Sequence, residues 1–294
     1  MKVCTYFIHA LSPLHAGIGS GVGPVDLPIA REVVTRLPVY YGSGIKGVLR
    51  AKHSSPTDDF VAVFGPDTDK SDEHAGAITF SDARLLCLPV RSICGTFAWT
   101  TSPIVLHRLA RDMELPNWKP IELNGFQAHV VDSESLLLPE NGQKILLEDL
   151  DLERRPDEQG VAKEWAERIG KLVFPDDEPW QAEFRRRFAI LGDDVFSFLY
   201  ENALEVRARI RLEENLKVVK EGALWYEEAL PAESILWGIA LAEQSYKEGI
   251  NLGPNEIINF AFTGDKSNDN CKECILQLGG KATVGYGRAR LVKS

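Results

Sequence analysis

Hydrophobic and polar residues alternate in several short stretches of this chain, which is the pattern of half-buried β-strands. Residues 3–10 alternate around Phe7 and His9, and residues 204–212 alternate apolar with basic side chains. The same reading predicts further strands over residues 37–41, 77–88, 223–228, 234–241, 274–278 and 282–292, and helices over residues 44–53, 103–113 and 255–262. Because these elements lack the regular βαβα order of a parallel sheet, we predict an α+β fold with an antiparallel sheet.

The pattern in the middle of the chain indicates an insertion into a smaller core. Residues 139–203 are rich in charge and place Trp165, Ile169 and Leu172 on one side of a helical stretch. One apolar side on an otherwise charged segment is typical of a surface helix. We therefore predict a helical insertion there.

A protruding hairpin is predicted around residues 213–233, where Pro231 separates two predicted strands. The sequence has no internal repeat and no low-complexity linker. We therefore expect one domain over residues 1–294, large enough for a substantial core.

Composition narrows the class of protein. The longest apolar run, residues 235–242, is far shorter than the roughly 20 residues of a membrane-spanning helix, so we expect a cytoplasmic protein with no membrane partner. The five cysteines are an odd number, which argues against a disulfide framework. Cys271 and Cys274 form a C-x-x-C motif, which is either half of a metal site or part of a polar loop.

The charge is unevenly distributed. The net charge is −10, yet residues 1–57 carry +4 and residues 277–294 another +4. A polyanion could therefore bind the two ends without meeting the acidic middle, although ordinary scatter of charge is the alternative.

A glycine-rich loop near the N-terminus has glycine at every second position from Gly17 to Gly23, with His15 and Asp26 beside them. Such a loop can bring backbone N–H groups close to a phosphate, or it can be an ordinary mobile loop. The spacing does not match the G-x-G-x-x-G of dinucleotide sites.

The predicted helix that follows has Ser43 as its N-cap and places Lys46 and Arg50, four residues apart, on one face. That face either binds phosphate or is simply solvated. Gly47 follows Lys46 where a P-loop requires Ser or Thr, which argues against ATP binding. Near the C-terminus, GGKATVGYGRAR is a second glycine-rich basic element, with Tyr286 available to stack on a base.

Three segments in this order resemble the RAMP superfamily, in the form of the repeated backbone subunit of Cmr-type (type III-B) CRISPR effectors. They are LSPLHAGIGSGVGPVDLPIAREVVTRLPVYYGSGIKGVLR, LWYEEALPAES and GGKATVGYGR. The resemblance implies a ferredoxin-like (RRM-like) palm with a thumb hairpin. It also implies copies stacked along a guide RNA (crRNA) with the other Cmr subunits, and cleavage of the paired target RNA with a divalent metal, Mg or Mn.

The resemblance also implies roles for individual residues. Asp26 matches the catalytic aspartate and would hold the metal. His15 is either a general acid or a structural histidine, and Glu227 either assists or is a solvated carboxylate. The predicted RNA contacts are Ser43, Lys46, Arg50, Arg36, Tyr226, Gly280, Lys281 and Arg288.

Two other functions fit the same residues. One is a structural subunit that binds crRNA without cutting, for which a carboxylate at Asp26 would be unnecessary. The other is a metal-independent nuclease that processes guide RNA through His15.

Overall fold

The strand predicted over residues 3–10 is present in the computed structural model as β1 (Lys2–Ala10). The structure describes residues 1–21, 23–54, 57–70, 72–116, 118–140, 142–212, 219–270 and 272–294. The other strands are β2 (Val39–Tyr40), β3 (Ile78–Phe80), β4 (Ala83–Arg91), β5 (Phe97–Thr101), β6 (Gln127–Val130), β7 (Lys144–Leu147), β8 (Leu150–Arg154), β9 (Phe188–Leu191), β10 (Glu205–Leu212), β11 (Val219–Ala229), β12 (Ile235–Ala242), β13 (Glu273–Gln277) and β14 (Arg288–Lys293). The helices are α1 (Gly42–Lys52), α2 (Asp58–Phe64), α3 (Pro103–Asp112), α4 (Val161–Val173), α5 (Glu178–Arg187), α6 (Asp193–Asn202) and α7 (Pro254–Thr263).

Twelve of the described strands form one sheet, ordered β13-β14-β1-β12-β4-β5-β9-β6-β8-β7, with β2 on β4 and β3 on β12. β1 is antiparallel to both neighbours, and Phe7 lies opposite Trp237 on one side and Val292 on the other. Only β5–β9 and β6–β8 are parallel pairs among the described strands. The predicted α+β class with an antiparallel sheet is confirmed in this coarse form.

The core covers both faces of the sheet at β1. Tyr6 and Phe7 are neighbours, so their side chains point to opposite faces, yet both are fully buried. α4 and α7 both contact β1. The alternation that predicted a half-buried strand therefore belongs to a strand that is buried on both faces. Within the described ranges, none of the helices is long and apolar enough to cross a bilayer.

The segment predicted as the thumb contains a separate two-stranded sheet, β10–β11, and we use the name thumb for these two strands. Its register pairs Ala208 with Tyr226 and Ile210 with Leu224. The hairpin predicted across Pro231 is wrong, because β12 pairs with β1, β3 and β4 instead of β11. β12 is apolar and largely buried along its whole length, so it belongs in the core sheet. Residues 213–218, which join the two strands in the sequence, lie outside the described residues.

Two other predicted segments differ in detail. The insertion over residues 139–203 contains β7, β8 and β9 as well as α4, α5 and α6, since short runs such as Ile145 to Leu147 bury alternate side chains. The strand predicted over residues 282–292 begins only at Arg288. A 3₁₀ turn precedes it, and Gly285 and Gly287 have φ of 87° and 83°, in the left-handed region that strands exclude.

Candidate functional site

The loop that carries Asp26 is attached along the edge of β11. Leu27 donates from its N–H to the Tyr226 carbonyl at 3.0 Å and accepts from the Glu228 N–H at 3.0 Å. Asp26 Oδ2 accepts from the Tyr226 N–H at 2.7 Å. The side chain of Asp26 is exposed. The thumb strand therefore holds this carboxylate at the surface in a defined position.

The Glu228 side chain holds the same loop through two contacts. One carboxylate oxygen pairs with the Arg31 guanidinium at 2.7 Å, and the other accepts from the Ile29 N–H at 2.9 Å. The Arg31 and Glu228 side chains are 7% and 9% exposed, so this is a buried ion pair. Arg31 also donates to the Tyr200 carbonyl at 3.0 Å, which ties the loop to α6.

Glu227 points to the opposite face of β11, into a cluster of donors. It is 2% exposed and accepts from Lys281 Nζ at 2.6 Å, Trp225 Nε1 at 2.7 Å and Arg209 Nε at 3.2 Å. Burial alone would raise the pKa of Glu227, but these donors together lower it. Glu227 is therefore a buried, paired carboxylate, not the solvated one that the sequence left open. Its catalytic role stays a prediction.

His15 is packed between the Asp26 loop, the thumb and the C-terminal glycine-rich loop. Its Nδ1 lies 2.6 Å from the Glu228 carbonyl, and its own carbonyl accepts from the Gly280 N–H at 3.2 Å. A Cβ at Gly17 would lie 2.4 Å from His15 Nε2. This close packing explains the glycine there, and the histidine is 6% exposed.

Tyr286, which the sequence offered for base stacking, is 2% exposed. Arg207 and Arg209 lie over its ring, at 5.3 and 5.4 Å from the centroid. The expectation of a stacking surface is wrong, because the ring is already covered by the two arginines of the thumb.

The basic residues of α1 are bonded within the chain. Lys46 Nζ donates to the Ile78 carbonyl at 2.8 Å, and burial lowers its pKa, with Arg50 adding to the effect. Arg50 uses both terminal nitrogens on the carbonyls of residues 64–66 and on Asp67. Only its Nε is left for another partner.

Ser43 is not the N-cap of α1. The helix begins at Gly42, two residues earlier than predicted, with Tyr41 as its N-cap, and Asp82 Oδ1 accepts from the Gly42 N–H at 2.9 Å in place of a capping side chain. Ser43 itself is exposed in the first turn.

The remaining predicted RNA contacts are at the surface. Arg36 lies 3.7 Å from Glu201, and Gly280 and Arg288 are exposed beside the C-terminal loop. Tyr226 is 42% exposed. The structure thus brings Asp26, His15, Glu227, Tyr226, Gly280 and Lys281 together around β11, while Lys46 and Arg50 contact other segments.

Comparison with known proteins decides the family. A model described as the RAMP superfamily matches residues 7–290. The chain belongs to the RAMP superfamily.

Individual relatives are similar over nearly their whole length. The CRISPR system Cmr endoribonuclease Cmr4 of Pyrococcus furiosus is 34% identical, over 98% of this chain and 94% of the relative. The crystal structure of oligomeric Cmr4 from Pyrococcus furiosus superposes with a TM-score of 0.73 at 27% identity, covering 100% of this chain and 98% of that one. A cryo-EM structure of the type III-B Cmr-beta bound to cognate target RNA gives a TM-score of 0.73, over 100% of this chain and 97% of that one. At 21% identity it shows a shared fold. The predicted family is confirmed.

Sequence reasoning did not foresee the contacts of three residues that build this RAMP site: Glu228, Arg31 and Arg209. A signal for Arg209 was present, because the alternation in residues 204–212 places Arg207 and Arg209 on one face. No local pattern could have paired Arg31 with Glu228, since 197 residues separate them.

Among the described residues, no group of three His, Cys, Asp or Glu side chains is placed to hold a metal ion. Asp26 is therefore not part of a described group of three such ligands. Cys271 lies outside the described residues, and Cys274 is half-buried in β13. The two interpretations of that C-x-x-C motif, half of a metal site or part of a polar loop, both stay untested.

Proposed function

We propose that this chain is a backbone subunit of a type III-B CRISPR effector, which binds crRNA, stacks with copies of itself and cuts the paired target RNA. The observation that carries the proposal is the exposed Asp26 carboxylate, fixed against the thumb by the Tyr226 N–H at 2.7 Å. The 34% identical relative named an endoribonuclease supports it.

A ferredoxin-like palm is part of this proposal. The four neighbouring strands β14-β1-β12-β4 support it, because one helix, α1, follows β1 and another, α7, follows β12. The strands and helices therefore form two units, β1-α1-β4 and β12-α7-β14. This order brings the loop after β1 and the loop before β14 to the same end of the sheet. Leu11 donates to the Arg288 carbonyl at 2.8 Å there. RNA crossing that end would meet both glycine-rich elements.

The chemistry of RNA cleavage gives Asp26 a role. Attack by the 2′-hydroxyl needs in-line geometry, proton transfer and stabilisation of the charge that develops on the phosphate. Asp26 has one oxygen occupied by Tyr226, and no described residue donates to Oδ1. That oxygen is available to accept a proton or to orient the attacking group.

Lys281 supplies positive charge near the same strand. Its ammonium has three donors, and Glu227 takes one of them at 2.6 Å. The ion pair with the buried Glu227 carboxylate fixes the position of the ammonium, and the other N–H groups can contact RNA phosphate. Positive charge held in place in this way stabilises a phosphorane without reorganisation.

A divalent cation, Mg or Mn, is compatible with the site. Magnesium keeps much of its water and is often held by one or two carboxylates and by substrate phosphates, so Asp26 with RNA meets the minimum. When bound, such an ion would neutralise charge on the scissile phosphate. Asp26 would hold it through Oδ1.

The test is Asp26→Asn in the complex assembled with crRNA. The amide oxygen of asparagine can still accept from Tyr226, so assembly and target binding should remain while cleavage is lost. Activity that a chelator removes and Mg or Mn restores would support the metal. Cleavage by the variant at near the wild-type rate would contradict the catalytic role of Asp26. Only the proposed role as an RNA-binding subunit would then remain.

A further inference from the structure

A cavity of about 500 Å³ lies beneath the Asp26 loop. Its volume falls within the ~300–1,000 Å³ of small-molecule sites. The residues that the argument uses are Ile18, Val25, Pro28, Tyr41, Arg36 and Glu201.

The cavity is preformed. Glu228 and Arg31 line it and are joined as a buried ion pair at 2.7 Å, and Ile29 is held to Glu228 by its N–H. The walls therefore belong to the same fixed loop that presents Asp26. Val25, one of the lining residues, precedes Asp26 in the chain, so the cavity adjoins the segment that presents the candidate catalytic carboxylate.

The mouth carries two charged groups that are only loosely paired. Arg36 Nε and Glu201 Oε1 are 3.7 Å apart, with side chains 58% and 42% exposed. Arg36 has φ of 60°, in the left-handed region that arginine rarely adopts, and its carbonyl accepts from Arg31 at 3.2 Å. Strain of this kind is maintained where a side chain must be aimed.

The chemistry of the lining suits a nucleobase. Tyr41, 46% exposed, offers a ring for stacking, and Ile18, Val25 and Pro28 supply apolar surface. Among the four RNA bases, guanine has acceptors at O6 and N7 and two adjacent donors, N1–H and N2–H. A guanidinium matches the acceptors and a carboxylate matches the donors.

We propose that this cavity takes the base of a target nucleotide beside the cut, with guanine preferred through Arg36 and Glu201. The inference rests on the proposed function. It makes the cleavage rate depend on the target nucleotide there, in addition to guide pairing, which itself supplies most of the sequence specificity.

The experiment uses the assembled complex and target RNAs that vary at the nucleotide on each side of the cut. All sixteen combinations of guide and target base are compared at each position. We expect guanine in the target to be cut at least about fivefold faster than the other bases, whatever the guide base, since a bidentate contact is worth ~1–3 kcal/mol. A rate that follows the guide base, or the pairing alone, overturns the proposal.

Variants test the residues. Glu201→Gln replaces one acceptor by a donor, which suits adenine, so the guanine advantage over adenine should fall below about twofold. Arg36→Gly keeps the left-handed backbone and should lower the guanine advantage too. Glu167→Gln, on the exposed surface of α4, is the control and should leave the base preference unchanged. A preference that survives both cavity variants contradicts the assignment.

The two proposals fail in different ways. Cleavage by the Asp26→Asn complex would contradict the proposed catalytic residue. Equal cleavage of all four bases by the wild-type complex would contradict the base cavity alone, with Asp26 still catalytic.

Discussion

The Tyr226 backbone N–H donates to Asp26 Oδ2 at 2.7 Å, so the thumb strand and the proposed catalytic carboxylate form one unit. Tyr226 lies opposite Ala208 in the hairpin register. β11 thus carries β10 on one edge and the Asp26 loop on the other. Movement of the thumb would move Asp26 with it.

We predict that Asp26→Ala frees the Tyr226 amide, whereas Asp26→Asn does not. One hydrogen bond is worth about 1 kcal/mol, so hydrogen exchange at the Tyr226 N–H should accelerate about fivefold in the alanine variant only. Both variants should lose cleavage. Equal exchange in all three proteins would mean that the carboxylate does not hold the strand in solution.

The second prediction concerns the buried pair that anchors the loop. Glu228→Gln leaves the Arg31 charge buried without a counter-charge, and removing one partner of such a pair costs about 3–5 kcal/mol. Urea unfolding of the purified chain should show this loss. The double variant Arg31→Met with Glu228→Met should recover much of it. A single variant as stable as wild type would show that the pair is solvated.

The third prediction uses Glu32, whose pKa is lowered to about 2, mainly by hydrogen bonds from Arg108 at 2.6 and 2.8 Å and against burial, with Arg84 also near. The folded pKa lies below the unfolded one. The stabilisation of the fold by the charged Glu32 carboxylate is therefore present above about pH 4.5 and is lost as the pH falls towards 2.

Glu32→Gln should lower stability at pH 7 by on the order of 2 kcal/mol, discounted for partial exposure. The difference from wild type should shrink as the pH falls from about 4.5 towards 2, because the unfolded state takes up a proton there before the folded Glu32 carboxylate does. Urea unfolding at several pH values measures this. A difference that is constant with pH would assign the effect to packing.

Much of the fold could be predicted because its signals are local. The alternation in residues 204–212 located β10, and the apolar run in residues 235–242 matches β12. Pairing could not be predicted in the same way. Proline is typical of a hairpin turn, yet the strands before and after Pro231 belong to different sheets. The reason is that β12 is apolar on both faces and β11 is not.

The same difference between local signals and long-range contacts applies to the candidate site. Asp26 and Lys281 could be found from glycine-rich segments, whereas their partners come from distant parts of the chain. Arg50 shows the opposite error, since its spacing from Lys46 suggested a shared phosphate-binding face. Its guanidinium instead bonds the carbonyls of residues 64–66 at the end of α2.

The fourth prediction separates these cations. Lys46→Met and Lys281→Met should each weaken crRNA binding for every guide sequence and lower the salt slope by about one. Arg50→Met should leave the slope nearly unchanged and lower the unfolding midpoint, because carbonyls lose their donors. Lys163→Met, on the exposed surface of α4, is the control. A loss confined to certain guide sequences would contradict phosphate contact.

The two faces of the thumb differ in what they offer RNA. Trp225 and Glu227 point inward, where Trp225 Nε1 donates to the carboxylate at 2.7 Å. The other face carries Ile210, Leu224 and Tyr226, each about half exposed. An apolar wedge must be accessible to separate bases, so we assign that role to this outer face and not to Trp225.

The last prediction tests that wedge with the double variant Leu224→Ser and Tyr226→Ser. Both side chains are exposed, so unfolding free energy should change by less than about 0.5 kcal/mol for each and crRNA should remain bound. Cleavage should fall at least about tenfold, since base–aromatic stacking is worth ~1–3 kcal/mol per base. Trp225→Ala is the contrast, and it should lower the melting temperature because it removes a donor from Glu227. If the double variant cuts at the normal rate and spacing, the outer face does not act on RNA, and the thumb serves only to hold the Asp26 loop.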